Sequence, residues 1–304
     1  MTPGGYLWWY LDAWSDDGRH GITLIAFVGS VFSPYYALAR RRGTADPDHH
    51  VSINVALYGN APRRWAMTER GRGDLQRDRD NLVIGPSALE WGPDGLTVHL
   101  NEITAPLPSR IRGTIRLRPE ALAARSYTLD QQERHHWRPI APCARVEVDL
   151  QQPGLRWLGH GYMDSNIGTE PLEQGFRYWD WSRAVMPNGD TVVLYEATQR
   201  DDQERMLTLR FDPRGGVRDV EPPRRQGLPT SAWWRIDRAT RADDGRAAVR
   251  QTLTDTPFYV RSLLDTRIEG EPGLAFHESL SLERFETTVV QLMLPFRMPR
   301  RARG

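Results

Sequence analysis

The chain has no lysine: all 40 of its Lys+Arg positions are arginine in 304 residues. That absence excludes a Walker P-loop, a pyridoxal or other Schiff-base lysine, the kinase lysine and Ser-Lys nucleophile pairs. Cysteine is nearly as scarce. Cys143 stands alone, so there is no intrachain disulfide, iron–sulfur cluster or thiolate zinc site. Neither sign of charge dominates, since 39 acidic residues balance the arginines; no global field favours nucleic acid. No GxGxxG follows a strand-like segment, and neither HExxH nor GxSxG occurs. His49-His50 and His135-His136 are adjacent pairs, which an extended chain points to opposite sides, so they make poor chelates and no metal site is expected.

Long hydrophobic runs are also missing. Ile22 to Ala39 comes nearest, and roughly 17–25 apolar residues would be needed to span a bilayer. Gly29, Ser30, Ser33 and Pro34 break it, and the pattern predicts a strand followed by an apolar loop. Phe32, Tyr35 and Tyr36, with Arg40, Arg41 and Arg42 beyond them, fit an interfacial anchor that touches a membrane peripherally. A buried strand with a solvated arginine cluster fits the same residues. Met298-Pro299-Arg300-Arg301-Ala302-Arg303 carries the same hint. With neither a signal peptide nor an N-x-S/T acceptor in view, a cytoplasmic location is the default expectation.

Helical periodicity is scarce, and short alternating segments dominate what is present. They run from Tyr6–Trp14 and Gly21–Val28 through Leu155–Met163 to Ala232–Ile236 and Thr287–Leu294. Turn pairs such as Asp17-Gly18, Asp94-Gly95, Asn188-Gly189 and Asp244-Gly245 lie between them. This spacing predicts an all-β protein of barrels or sandwiches. One short helix is expected, near Pro119–Ala124. Trp8 precedes Gly18 by ten residues, and Trp179 precedes Gly189 by the same interval, 171 positions later. Each turn is followed by an apolar strand. The repeat predicts two related units, 1–168 and 169–304, with the boundary between about 150 and 175.

Carboxyl, imidazole, phenol and indole are the chemistry left. In the strand-like run to Met163, His160, Tyr162 and Asp164 share a face, and a polar loop follows. His135 and Trp137 share a face in Arg134–Pro139. If the two segments meet, they form an acid site: a carboxyl donor, a phenol, an imidazole that renews the proton and an indole wall. Asp12, Glu69, Asp180 and Asp265 are competing carboxyls. Eleven tryptophans suit either walls around a large apolar ligand or ordinary core.

Gly4–Tyr10, Ile25–Tyr36, Arg64–Gly71, Tyr162–Asn166, Glu170–Glu173, Trp179–Arg183, Asp255–Tyr259 and Gln291–Arg297 together resemble the carotenoid 1,2-hydratase (hydroxyneurosporene synthase) family. The resemblance spans nearly the whole chain. It implies two lipocalin-like antiparallel β-barrels, in a superfamily that also contains cofactor-free pericyclases. The implied reaction adds water to the terminal double bond of a linear C40 carotene, with no metal or organic cofactor. Asp164 would then be the acid, Tyr162 its orienting partner, and His135 a base or relay. Trp137, with Trp9, Trp179 and Trp181, would wall the substrate and its cation. A non-catalytic carrier of an apolar ligand and a pericyclase are the alternatives.

Overall fold

The computed structural model describes residues 1–60 and 62–301. Antiparallel strands make up most of it, and helix is confined to short pieces. Two compact units divide the chain: Met1–Pro171 together with the chain from Gln291, and Leu172–Val290.

The first unit begins with β1 (Tyr6–Ser15), β2 (His20–Val28), β3 (Val51–Gly59) and β4 (Arg64–Arg70). Shorter strands follow: β5 (Leu75–Arg77), β6 (Asn81–Ile84), β7 (Ser87–Gly92) and β8 (Gly95–Ile103). Then come β9 (Arg110–Pro119), β10 (Tyr127–Thr128), β11 (His135–Gln152) and β12 (Leu155–Gly168). β1 lies between β2 and β12, and β12 pairs in turn with β11. The sheet curls around one apolar cluster that includes Leu11, Leu24, Ile53, Val98, Ile115 and Val148.

Alternation along a strand sorts side chains between faces. On β1, Leu11 and Ala13 belong to the cluster and Trp9 packs against it. Trp8, Tyr10, Asp12 and Trp14 therefore occupy the other face, and all four are buried. β11 reaches back to His135 through Pro139 and Pro142, neither of which can donate to a ladder. Register shifts between Pro139 and Ala141 and between Ala141 and Ala144 absorb them.

Four elements differ from expectation. After β2, Ser33 caps helix α1 (Pro34–Arg41), its Oγ accepting the backbone N–H groups of Tyr35 and Tyr36. The Ser-Pro start makes a helix of the expected loop. Pro119–Ala124 is not helical, because Glu120 and Ala123 donate their N–H groups to the carbonyls of Cys143 and Ile140 on β11. Thr287–Leu294, β-branched and so read as a strand, forms the helix Thr288–Met293. Its apolar residues Val289, Leu292 and Met293, continued by Phe296, recur at helical spacing. Ala232–Ile236 is a turn that exposes Trp233.

The second unit holds β13 (Phe176–Val185), β14 (Thr191–Gln199), β15 (Glu204–Phe211) and β16 (Val217–Asp219). The hairpin β17 (Arg225–Leu228) and β18 (Arg238–Arg241) precedes β19 (Ala248–Asp255), β20 (Tyr259–Ile268) and β21 (Glu271–Ser281). β13 lies between β14 and β21. Ala184, Val192, Leu194, Leu264 and Ala275 form this unit's apolar cluster. The chain then returns to the first unit, where β22 (Arg300–Arg301) runs parallel to β4. The repeat assigns this tail to the second barrel, but Arg300 anchors it elsewhere, its guanidinium bonding Glu69, His50 and the His49 carbonyl. Ala302 and Arg303, part of the basic C-terminal hint, lie outside the described residues.

Candidate active site

β12 carries Tyr162 and Asp164 on the face opposite the apolar cluster, where Met163 points the other way into it. Asp164 is buried, and its Oδ2 accepts two hydrogen bonds: Trp137 Nε1–H at 2.8 Å and Tyr162 O–H at 2.7 Å. Trp137 arrives from β11, where it lies opposite Asn166. Three of the four expected catalytic residues therefore meet at one carboxyl.

His135 belongs to the neighbouring cluster. It lies opposite Gly168, four positions beyond Asp164, or roughly 13 Å along the strand. Its Nε2 is 3.1 Å from Glu170 Oε1, and its Nδ1 is 2.8 Å from the Tyr6 hydroxyl. A carboxylate only accepts, so Nε2 carries the proton and Nδ1 accepts from Tyr6. Arg134 holds the other Glu170 oxygen at 2.7 Å. Burial pushes the His135 pKa down, against the raising effect of Glu170. The imidazole is therefore neutral and one step removed from the Asp164 carboxyl. Gly168 permits this packing: a Cβ there would lie 2.4 Å from the Tyr6 ring and 2.8 Å from His135 Nδ1.

A second pair faces the first, built on Asp12, which the sequence offers only as a competing carboxyl, and on Tyr10, which it does not single out as a site residue. Tyr10 is directly across from Asp164 and Asp12 across from Tyr162. Tyr10 O–H donates to Asp12 Oδ2 at 2.9 Å, and the Tyr10 and Tyr162 rings meet edge to face at 6.2 Å. The signal was the spacing itself, since Tyr-x-Asp occurs in both strands. Tyr6 stacked on Trp8 at 4.9 Å and Tyr127 against Trp137 at 5.5 Å extend the aromatic surface.

The remaining expected residues lie elsewhere. Trp9 is on the cluster face of β1, turned away from Asp164. Trp179 and Trp181 are buried in the second unit, on the β13 face opposite its apolar cluster. Glu69 is tied to Arg300 and to His50, and Asp265 is a surface partner of Arg250. Asp180 sits on the cluster face of β13, bonded by Ser279, with Glu196, Arg241 and His277 lining the same small cavity. Burial pushes Asp180 up to about 7 and His277 down to about 4. That cavity has room for about one water. In the expected membrane anchor, Tyr36 is fully buried and donates its hydroxyl to the Gly5 carbonyl, so it is unavailable, whereas Arg41 and Arg42 are exposed.

The fold defines a lipocalin-like β protein. The solved structure of CghA with Sch210972 superposes with a TM-score of 0.59 at 13% identity, covering 92% of this chain and 89% of that one. Residues 24–304 match the carotenoid hydratase CrtC family. The acyclic carotenoid 1,2-hydratase of Thiocapsa roseopersicina is 60% identical over 99% of this chain and 74% of its own length. That of Rubrivivax gelatinosus is 52% identical over 99% and 75%. The chain belongs to the carotenoid hydratase family.

Proposed function

We propose that this chain is a hydro-lyase that adds water across the terminal C1=C2 bond of an acyclic C40 carotene of the neurosporene or lycopene type. Family membership and two close relatives named as acyclic carotenoid 1,2-hydratases support the reaction. The observation that carries the mechanism is a buried carboxyl, Asp164, held on one oxygen by an indole and a phenol.

Protonating C2 leaves a tertiary cation at C1, which water captures. Asp164 is the acid. Burial disfavours its anion and so favours retention of the proton. Trp137 and Tyr162 both donate to Oδ2 and so fix the orientation of the carboxyl that delivers the proton. After delivery, the same two donors stabilise the carboxylate. Tyr10, Tyr162 and Trp137 offer ring faces to the cation, each worth about 2 kcal/mol when desolvated. Neutral His135 fixes the far end of the site and adds no positive charge that would draw the proton off Asp164. These steps call on no metal or organic cofactor.

A carotene is apolar enough to reside in a bilayer, so peripheral contact with the cytoplasmic face of a membrane belongs to the same reading. Exposed Leu38, Arg41 and Arg42 on and after α1 support it, as do exposed Leu292 and Phe296 beside Arg301. Arg300 lies against Tyr35 of α1, which ties the two segments together. No helix among the described residues is long and apolar enough to cross a membrane.

Turnover of a linear carotene in water labelled with deuterium and oxygen-18 tests the reaction. A hydratase places solvent deuterium at C2 and solvent oxygen at C1. A carrier would bind without product, and a pericyclase would incorporate neither label.

A further inference from the structure

We propose that Asp12 is the second catalytic carboxylate, the base that takes the proton from the attacking water; this rests on Asp164 being the acid. Hydration needs both functions. When water bonds to C1, its oxygen carries an extra proton that must leave. His135 is poorly placed to take it, being held between Tyr6 and Glu170 beyond Trp137. Asp12 is nearer and on the same face: Tyr10 opposes Asp164, and Asp12 opposes Tyr162. The two carboxyl-bearing positions are therefore diagonal neighbours across β1 and β12, about 7–8 Å apart. In inverting glycosidases, where acid and base carboxyls likewise flank a water and a reacting carbon, the two are about 6.5–9.5 Å apart.

Both carboxyls are buried, Asp12 completely. Two carboxylates in one buried site do not both ionise readily, so the pair retains one proton. The cycle starts with that proton on Asp164 and with the Tyr10 hydroxyl donating to Asp12. The steps balance. Asp164 gives its proton to C2, the water oxygen bonds to C1, and the water's proton passes to Asp12. Alkene and water have become alcohol, and the pair still holds one proton, now on the wrong partner. Return of the proton from Asp12 to Asp164 completes the cycle; the Tyr10 and Tyr162 hydroxyls, one on each carboxyl, belong to rings that meet edge to face. The two Tyr-x-Asp strands thus divide the labour: β12 protonates carbon and β1 deprotonates water.

The test uses the full-length protein in deuterated water with a linear carotene. Asp12→Asn should lower alcohol formation at least 100-fold, while recovered carotene still gains deuterium at C2, because the cation forms and reverts to alkene. Alcohol formed at the unmodified rate, or loss of both alcohol and exchange in a folded variant, would overturn the assignment of Asp12. If Asp164→Asn retained exchange, the acid assignment beneath it would fail instead. Should Asp12→Asn not fold, Tyr10→Phe carries the test. Loss of its hydroxyl raises the Asp12 pKa, so the acidic limb of alcohol formation should move up by about one pH unit while that of C2 exchange stays put. An unmoved limb would refute the base.

Discussion

β1 and β13 hold similar places: β1 lies between β2 and β12, and β13 between β14 and β21. At the 171-residue offset, Trp8-x-Tyr10-x-Asp12 corresponds to Trp179-x-Trp181-x-Arg183, and both sets face away from their unit's apolar cluster. Asp12 is thus matched by Arg183, which is buried with its guanidinium over the Phe276 ring at 5.2 Å. Two carboxyls of the second unit, half-buried Asp180 and buried Glu196, lie on the cluster face, among Ser279, Arg225, Arg241 and His277. One frame therefore sets carboxyls against phenols and indoles, and the other sets them against arginine, serine and histidine. A carboxyl with a raised pKa does not by itself make an alkene protonation site. A cation also needs an aromatic wall, and Asp180 faces a cavity sized for about one water.

The largest effect expected from this contrast is on stability. Asp180 titrates near 7 when folded and at its ordinary 3.8 when unfolded. Between these values the unfolded chain has already lost the proton that the folded chain keeps, so stability falls as pH rises. His277 titrates near 4 when folded and at 6.5 when unfolded. There the unfolded chain holds the extra proton, and stability rises with pH. The two slopes oppose each other in the wild type. Relative to it, Asp180→Asn should gain on the order of 3 kcal/mol from pH 4 to 6.5, and His277→Gln should lose a similar amount. Denaturant titrations across that range check both signs.

Removing one donor from the acid comes next. Tyr162→Phe or Trp137→Phe should cut turnover roughly 10- to 100-fold, the worth of a hydrogen bond to a charged group, whereas Asp180→Asn should change it less than about twofold. Steady-state kinetics on both sets would break the comparison if Asp180 proved the more sensitive. Gly168→Ala forces a methyl into Tyr6 and His135 and should cost about 1–3 kcal/mol in thermal unfolding. The smallest effect is at the surface. Leu292→Ser with Phe296→Ser should weaken sedimentation with anionic vesicles a few-fold, about 1 kcal/mol for the pair, and leave turnover of detergent-dispersed carotene unchanged.

Strand content was legible because alternation and turn pairs are local signals. The meeting of Trp137 with Asp164 was only conditional in the sequence, because it depends on pairing β11 with β12 past two prolines. His135 could not be placed for the same reason. A shift of two residues along β11 decides whether imidazole or indole reaches the carboxyl, and bulges are not written in periodicity. Trp9 falls on the face of β1 opposite Asp164, as strand alternation implies: neighbouring residues face opposite ways, so Trp8 and Trp9 do not share a face. The helix Thr288–Met293 was hidden by β-branched residues whose propensity the tertiary context overrode.

The central claim is that Asp164 delivers the proton to C2, and Asp164→Asn in deuterated water tests it most directly. The account predicts a folded variant that still binds the carotene, forms no alcohol and leaves C2 of the recovered alkene unlabelled. Alcohol carrying deuterium at C2, formed at a rate near that of the unmodified protein, would contradict it.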